Sequence, residues 1–509
     1  MNALRTRLWS MAMLLALTTG SLRAQDLASF EKKTTVRKLD NGLTFIIQER
    51  HEAPVFSYAT VVNTGSAQEV PGITGLAHMF EHMAFKGSQN VGTTNYPEEK
   101  AALQKVEAAY KAFDLERRKP VGRDEAKVKE LEKTFKDAIA AADKYVVANE
   151  FSKIVDASGG TGMNAFTASD ETVYFFNMPS NQFELWAFLE SERFNAPVFR
   201  EFYKERDVVQ EERRMRYESS PVGRLILQFL STAFVAHPYG TPGIGWSSDL
   251  QSFSAADAEN FFKKYYVPSN MVIAVVGDVN PAEAMPILEK YFGRLPKAPA
   301  PEPLRTIEPP QGAERQVVLH ESAQPIYLEG YHRPAATDPD NATYDTIEML
   351  MSAGRTSRLY RSLVRDKKLA AQAGGFNGFP GDKYPNMFVF FGVPTPGHSA
   401  TDLQAPIQAE IDRLKTQDVP ADELQSVKTR VKAQLLHQLD SNSGLVLQLA
   451  TAQTLYGDWR ELFRSVDKIN AVSAADIRRV ANATFDPNNR TIGYSESAMK
   501  PAAPKGDSK

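Results

Sequence analysis

Residues 75–87 read GLAHMFEHMAFKG and set His78, Glu81 and His82 in an H-x-x-E-H arrangement. On a helix, His78 and His82 are four residues apart and share a face, one turn above the other. Two imidazoles so placed can grip one metal ion. Glu81 follows His78 by three positions, on the same side, so its carboxylate can reach a water at that metal. Leu76, Met79, Phe80 and Phe85 are the apolar positions that would pack such a helix into a core. Two core histidines beside a buried glutamate would give the same letters, but burying that carboxylate without a partner is costly. With only 8 His in the chain, the pattern is rare by chance, and it is a signature of metal hydrolases.

A catalytic zinc takes three protein ligands and keeps one open position, so a third ligand is needed. Residues 204–214, KERDVVQEERR, can supply it. Glu205 and Glu212 are seven apart, two helical turns, and point the same way. One can bind the metal while the other braces the site from behind. Glu211 competes as the ligand, rotated by about 100° from Glu212 on an ideal helix. In isolation the segment would read as an exposed charged helix with i, i+4 ion pairs.

The elements that must position these residues follow from turn signals and periodicity. Strands are expected at 35–39 and 43–48, joined by Asp40-Asn41-Gly42, and again at 56–63. Pro71 and Gly72 break the chain before the motif helix, and Gly87 is expected to end it. Residues 98–149 are rich in Ala, Glu and Lys. Leu103, Val106, Tyr110 and Phe113, then Val128, Leu131, Phe135 and Ile139, recur at helical spacing on either side of Lys119-Pro120-Val121-Gly122. They read as an inserted, exposed helical hairpin with its glutamates on the surface. Residues 164–179 read as strands, 183–194 as an amphipathic helix, 201–217 as a long charged helix and 271–276 as an apolar strand.

Five prolines between 296 and 312 mark an extended linker. A repeat supports a boundary there. Ser254-Ala255-Ala256-Asp257 recurs as Ser473-Ala474-Ala475-Asp476, and at the same offset Pro268 matches Pro487 and Asn270 matches Asn489. Each copy reads as a capped helix, a proline stop and a strand. The expected fold class is α+β: two related α/β-sandwich halves, residues 30–296 and 313–498, each a mixed, largely antiparallel sheet packed with helices. They are joined by the linker at 297–312, and a polar tail follows at 499–509. Only the first half carries H-x-x-E-H, so one site per chain is expected.

Composition sets the compartment and excludes some partners. The net charge of −3 suggests neither nucleic acid nor an anionic membrane. Arg5 and Arg7, a short apolar run at 8–17 and a cleavage point after Ala24 read as a secretory signal, with a retained anchor as the alternative. Export, most simply to a periplasm, is the expectation, with no membrane span after cleavage. The chain has no Cys, so its own core must stabilise it.

The chain resembles the pitrilysin/insulinase family of inverted-motif zinc peptidases, in the branch of shorter chains that includes the mitochondrial processing peptidase. HMFEHMAFKGS is similar to the family's zinc helix, and ERDVVQEE to its second zinc segment. The resemblance implies Zn²⁺ on His78, His82 and Glu212, with Glu205 in support and Glu81 as the general base of peptide hydrolysis. The 130 positions from His82 to Glu212 exceed the family's usual spacing by nearly the length of the 52-residue hairpin. HPYGTP at 237–242 resembles a family segment and is read as structural. NAFTASDETVY resembles the family's edge strand, on which a peptide substrate binds as an added strand; Asn164, Ala165 and Phe166 are the implied contacts. In the second half Arg365 fits the family's substrate-holding arginine, but the tyrosine expected seven positions later falls at Gln372, or at Ala371 with one residue deleted. The implied partner is a zinc-less homologue supplying that pair in a heterodimer, with a homodimer as second choice. A non-catalytic structural or peptide-binding subunit is the alternative function.

Overall fold

The computed structural model describes residues 27–321 and 323–496; the expected signal at 1–24 and the tail at 499–509 lie outside the described residues. Two mixed sheets form the frame. The first holds β1 (Thr34–Lys38), β2 (Thr44–Glu49), β3 (Val55–Val62), β4 (Thr161–Thr167), β5 (Thr172–Pro179) and β6 (Met271–Gly277), in the order β1-β2-β6-β3-β5-β4. The second holds β7 (Arg315–His320), β8 (Tyr327–Arg333), β9 (Ala370–Phe379), β10 (Asn386–Pro394) and β11 (Arg490–Glu496), in the order β7-β11-β8-β10-β9. Apart from β1 the two orders correspond strand for strand, and β4 and β9 are the matching edges.

The short sequence repeat occupies equivalent places. Ser254 and Ser473 each accept the N–H three residues on, at 3.2 Å, and the Asp there accepts the serine N–H in return, a reciprocal cap that starts each helix. The helices Ala255–Tyr265 and Ala474–Thr484 follow, then the 3₁₀ turns Pro268–Asn270 and Pro487–Asn489. Asn270 and Asn489 tie the turns back, each donating at 2.9 Å to the carbonyl five residues earlier. β6 then pairs parallel to β2 and antiparallel to β3, as β11 does with β7 and β8.

One face of the first sheet carries the main core, where the motif helix Leu76–Met83 packs on β4 and β5 and on the helices Phe202–Arg213 and Ala255–Tyr265. The other face, with Ile46, Ala59, Val61 and Val276, is covered by Leu445, Val446 and Leu449 of the helix Asn442–Tyr456, which belongs to the second half. The exchange is reciprocal: helix Pro221–Ala233 of the first half lays Leu225 and Phe229 on Leu328, Met387 and Val389 of the second sheet. Gly330 lets the Phe229 ring approach β8, since a Cβ there would stand 2.7 Å from it.

Several local expectations need correction. The hairpin helices are Tyr96–Arg117 and Glu125–Ala142, but their glutamates are not all at the surface. Glu99 is buried and pairs with buried Arg200 at 2.8 Å, and Glu116 is buried as well. The helix Phe183–Asn195 is buried nearly all round rather than amphipathic; its Glu190 is satisfied by the Tyr58 and Thr60 hydroxyls and by Arg193. The long charged helix ends at Arg213 and continues as a π-helical turn, Arg214–Glu218. The motif helix stops at Met83, and Gly87 (φ 90°) serves the turn beyond it, packed against the Val91 carbonyl. The proline-rich linker has no regular structure but is fastened: Glu308 accepts the N–H groups of Val235, Ala236 and His237, each at 2.9 Å.

Candidate metal centre

The motif helix starts without a side-chain cap of its own. Gly75 has a left-handed φ of 92° and its Cα faces the Ile244 carbonyl, where a Cβ would come to 2.4 Å, so only glycine fits. The free N–H groups are taken by the buried Glu69, which accepts from Gly75 at 2.6 Å and Ala77 at 2.7 Å. Phe80 anchors the opposite side, with its ring 4.1 Å from Tyr266 and 5.2 Å from Phe262.

With the helix fixed, His78 and His82 turn their Nε2 atoms toward the glutamate helix. Glu212 Oε2 lies 3.6 Å from His78 Nε2 and 3.5 Å from His82 Nε2, and one ligand atom from each residue falls within 4.8 Å of the others. Ligands about 2.0–2.1 Å from a tetrahedral ion stand roughly 3.3 Å apart, so the spacing suits a zinc-sized ion with little movement. Glu211 points elsewhere: it is exposed and clamped by Arg214 at 2.5 Å. The other Glu212 oxygen is held by Arg216 at 2.6 Å.

A second layer orients the ligands. Glu205 Oε2 takes the free Nδ1 of His82 at 3.3 Å, and its other oxygen takes Lys86 Nζ at 2.5 Å. Lys86 also reaches Glu201 at 3.2 Å. A carboxylate behind a ligating imidazole fixes its tautomer and raises its basicity. Burial, with His82 and the Arg216 guanidinium adding to it, drops the His78 imidazole to about 3, so it is neutral and able to ligate. Burial disfavours charge on His82 too, but the hydrogen bond to Glu205 and the charges of Glu81, Glu205 and Glu212 outweigh it and raise His82. Burial lifts the Glu81 carboxyl above its ordinary range, opposed by the Thr167 hydroxyl, which donates to Glu81 Oε2 at 2.7 Å. A carboxylate shifted toward neutrality is a better general base.

Thr167 ends β4, the edge strand that carries Asn164, Ala165 and Phe166. Asn164 and Phe166 are exposed and Ala165 is half-buried, so that backbone edge lies open beside the motif helix among the described residues. Arg365 is not brought to the centre. It lies in the π-helical segment Tyr360–Asp366 of the second half, exposed and paired with its neighbour Asp366 at 2.6 Å. Gln372 is exposed on β9. His237 accepts the Tyr239 N–H, and Tyr239 donates to Asp170 at 2.7 Å, contacts of a structural kind for HPYGTP. Sequence reasoning missed Glu69, Lys86, Thr167 and Arg216. Lys86 stands one turn after His82 and could have been found from i, i+4 spacing; Glu69 leaves no sequence signal.

Residues 44–113 and 139–245 match the family described as Insulinase (Peptidase family M16), and residues 252–431 match the Peptidase M16 inactive domain. The chain belongs to the pitrilysin/insulinase family. The unmatched residues 114–138 are the far end of the helical hairpin. The chain is 28% identical over 504 residues to the zinc protease PqqE of Helicobacter pylori, covering 96% of this chain and 98% of that protein. A crystal structure of a protease from Helicobacter pylori is similar at a TM-score of 0.76 and 27% identity, covering 91% of this chain and 99% of that one. The first half of the periplasmic protease PqqL from Escherichia coli shares the fold at a TM-score of 0.66 and 17% identity, covering 92% of each chain. Among the described residues no helix is long and apolar enough to cross a membrane.

Proposed function

We propose that this chain is a zinc-dependent endopeptidase acting on unfolded peptides or small polypeptides. The observation that carries the reading is the convergence of His78 Nε2, His82 Nε2 and Glu212 Oε2, 3.5–3.6 Å from carboxylate to each imidazole, beside a glutamate held at an open strand edge. Zn²⁺ bound by these three residues would supply the electrophile that polarises a carbonyl and acidifies a water. Glu81 takes the proton from the attacking water and returns it to the leaving amine. Thr167 keeps the Glu81 carboxylate aimed, and Glu205 keeps His82 in the ligating tautomer. The substrate pairs with β4 as an added strand at Asn164, Ala165 and Phe166, which makes backbone contact the main source of affinity.

Arg365 with its charge spent on Asp366, and Gln372 in place of a tyrosine, support a partner. The partner in this reading is a zinc-less homologue in a heterodimer; a homodimer is the second choice. The domains are residues 30–296 and 313–498, and the compartment is the periplasm after loss of residues 1–24. A non-catalytic, peptide-binding subunit is the competing reading, favoured by the same missing pair.

The test is cleavage of a quenched, unstructured peptide by the purified chain, alone and with its co-purifying partner. Cleavage abolished by chelation and by Glu81→Gln supports the proposal. Zinc-loaded protein that never cleaves, with the partner present, sinks the peptidase reading. Cleavage unaffected by Glu81→Gln sinks the assignment of the base.

A further inference from the structure

The turns that end the two matching edge strands meet across the molecule. β4 runs into β5 through 168–171, and β9 into β10 through 380–385. Asp170 joins them. Its carboxylate accepts the main-chain N–H groups of Asp382 at 2.7 Å and Lys383 at 3.0 Å, and the hydroxyl of buried Tyr239 at 2.7 and 2.8 Å. Ser169 Oγ donates to the Pro380 carbonyl at 3.0 Å, and Lys383 Nζ returns to Asn63 Oδ1, just beyond β3, at 2.7 Å. The approach is close: a Cβ on Gly381 would stand 2.6 Å from the Tyr239 hydroxyl and nearer still to Asp170 Oδ2. On its other side the β4–β5 turn is tied to the loop before the motif helix. There the Ser66 N–H donates to the Ala168 carbonyl at 3.2 Å and the Ala67 N–H to the Ser169 carbonyl at 2.9 Å.

What this clamp fixes lies just before it in the chain. Thr167, whose hydroxyl aims Glu81, is the last residue of β4. β4 has a strand neighbour on one side only, and its register on β5 shifts between Thr161 and Asn164. An edge strand paired so loosely along its length takes its position from its ends. We propose that Asp170 is a positioning residue: by gripping the β9–β10 turn and Tyr239, it holds the end of β4 so that the Thr167 hydroxyl stays on Glu81. The half without a metal motif then takes part in catalysis from within the same chain, and Tyr239 of HPYGTP has a share in it. The proposal rests on the peptidase reading for what Glu81 does; the clamp itself does not depend on that reading.

The test uses the full chain and two variants that attack one contact from opposite halves, Asp170→Ala and Gly381→Ala. Hydrogen exchange read by mass spectrometry over 161–172, in metal-free protein, reports the clamp without any activity. Both variants should exchange there about ten-fold faster than the parent, with β6 unchanged. Peptide cleavage then reports the link to the base. Each variant should keep its zinc and lose about ten-fold in kcat. In a Thr167→Val background each should change kcat by less than about two-fold, because the hydroxyl through which it acts is gone. A role in stability alone would give the same loss with or without that hydroxyl. Exchange untouched in both variants overturns the clamp, and losses that add to that of Thr167→Val overturn its hold on the base. A parent that never cleaves sinks the peptidase reading, while exchange still decides the clamp.

Discussion

Replacing Thr167 with valine tests whether the base is positioned from the substrate strand. The Thr167 hydroxyl donates to Glu81 Oε2 at 2.7 Å, and its backbone pairs with Thr172 across the sheet. Valine keeps the β-branched shape and the strand, so only the donor is lost. A hydrogen bond to a charged group is worth about 1.5–3 kcal/mol. If all of it is expressed in the transition state, kcat falls roughly 10- to 150-fold. KM and zinc content should stay as they were, and Thr167→Ser should restore most of the rate. The sign of the pH effect is also set. Burial pulls the Glu81 carboxyl up and the Thr167 hydroxyl pulls it down; losing the hydroxyl lifts it further. The working base is the ionised form, so the acid limb of the rate profile should move to higher pH. Stopped assays with a quenched peptide, with zinc measured on the same samples, decide it. A valine variant with full zinc and a kcat within about two-fold of the parent would refute the argument.

Other outcomes follow from the same geometry. Glu212→Gln should lose zinc by metal analysis while Glu211→Gln retains it; the reverse result would overturn the choice of ligand. Glu205→Gln should weaken zinc binding about 10- to 100-fold in competition with a chelator, without removing a ligand. Phe80→Ala should cost about 3–5 kcal/mol in denaturant unfolding, because its ring is fully buried among Phe199, Phe262 and Tyr266. Arg365→Gln should leave cleavage by the chain and its partner together nearly unchanged, and a large loss would show that this arginine holds substrate after all.

What could be read from the sequence is what repeats or keeps a fixed spacing. His78 and His82 one turn apart, Glu205 and Glu212 two turns apart, and the Ser-Ala-Ala-Asp caps 219 positions apart all carry local geometry in their numbering. The joining of the two glutamates to the two histidines needed the family resemblance, because nothing local says that residue 212 meets residue 82. Contacts made only by the assembled core left no pattern to read. Glu69 caps a helix seven residues on from a loop with no cap motif. Glu99 looks like any glutamate in a charged helix until Arg200 meets it from the far side of the hairpin. The helix Phe183–Asn195 reads as amphipathic only if its polar residues are solvated, whereas Glu190 and Arg193 neutralise each other inside.

The helices Pro221–Ala233 and Asn442–Tyr456 each leave their own half and lie on the sheet of the other. A protease nick in the linker near Pro301 would therefore cut the polypeptide without parting its pieces, and the fragments should migrate as one particle until denatured. For the same reason neither piece made alone would hide its sheet: each would expose an apolar face shaped for a helix it does not possess. The duplicated architecture thus behaves as one indivisible unit, in which the half without a metal motif supplies part of the floor beneath the half that has one.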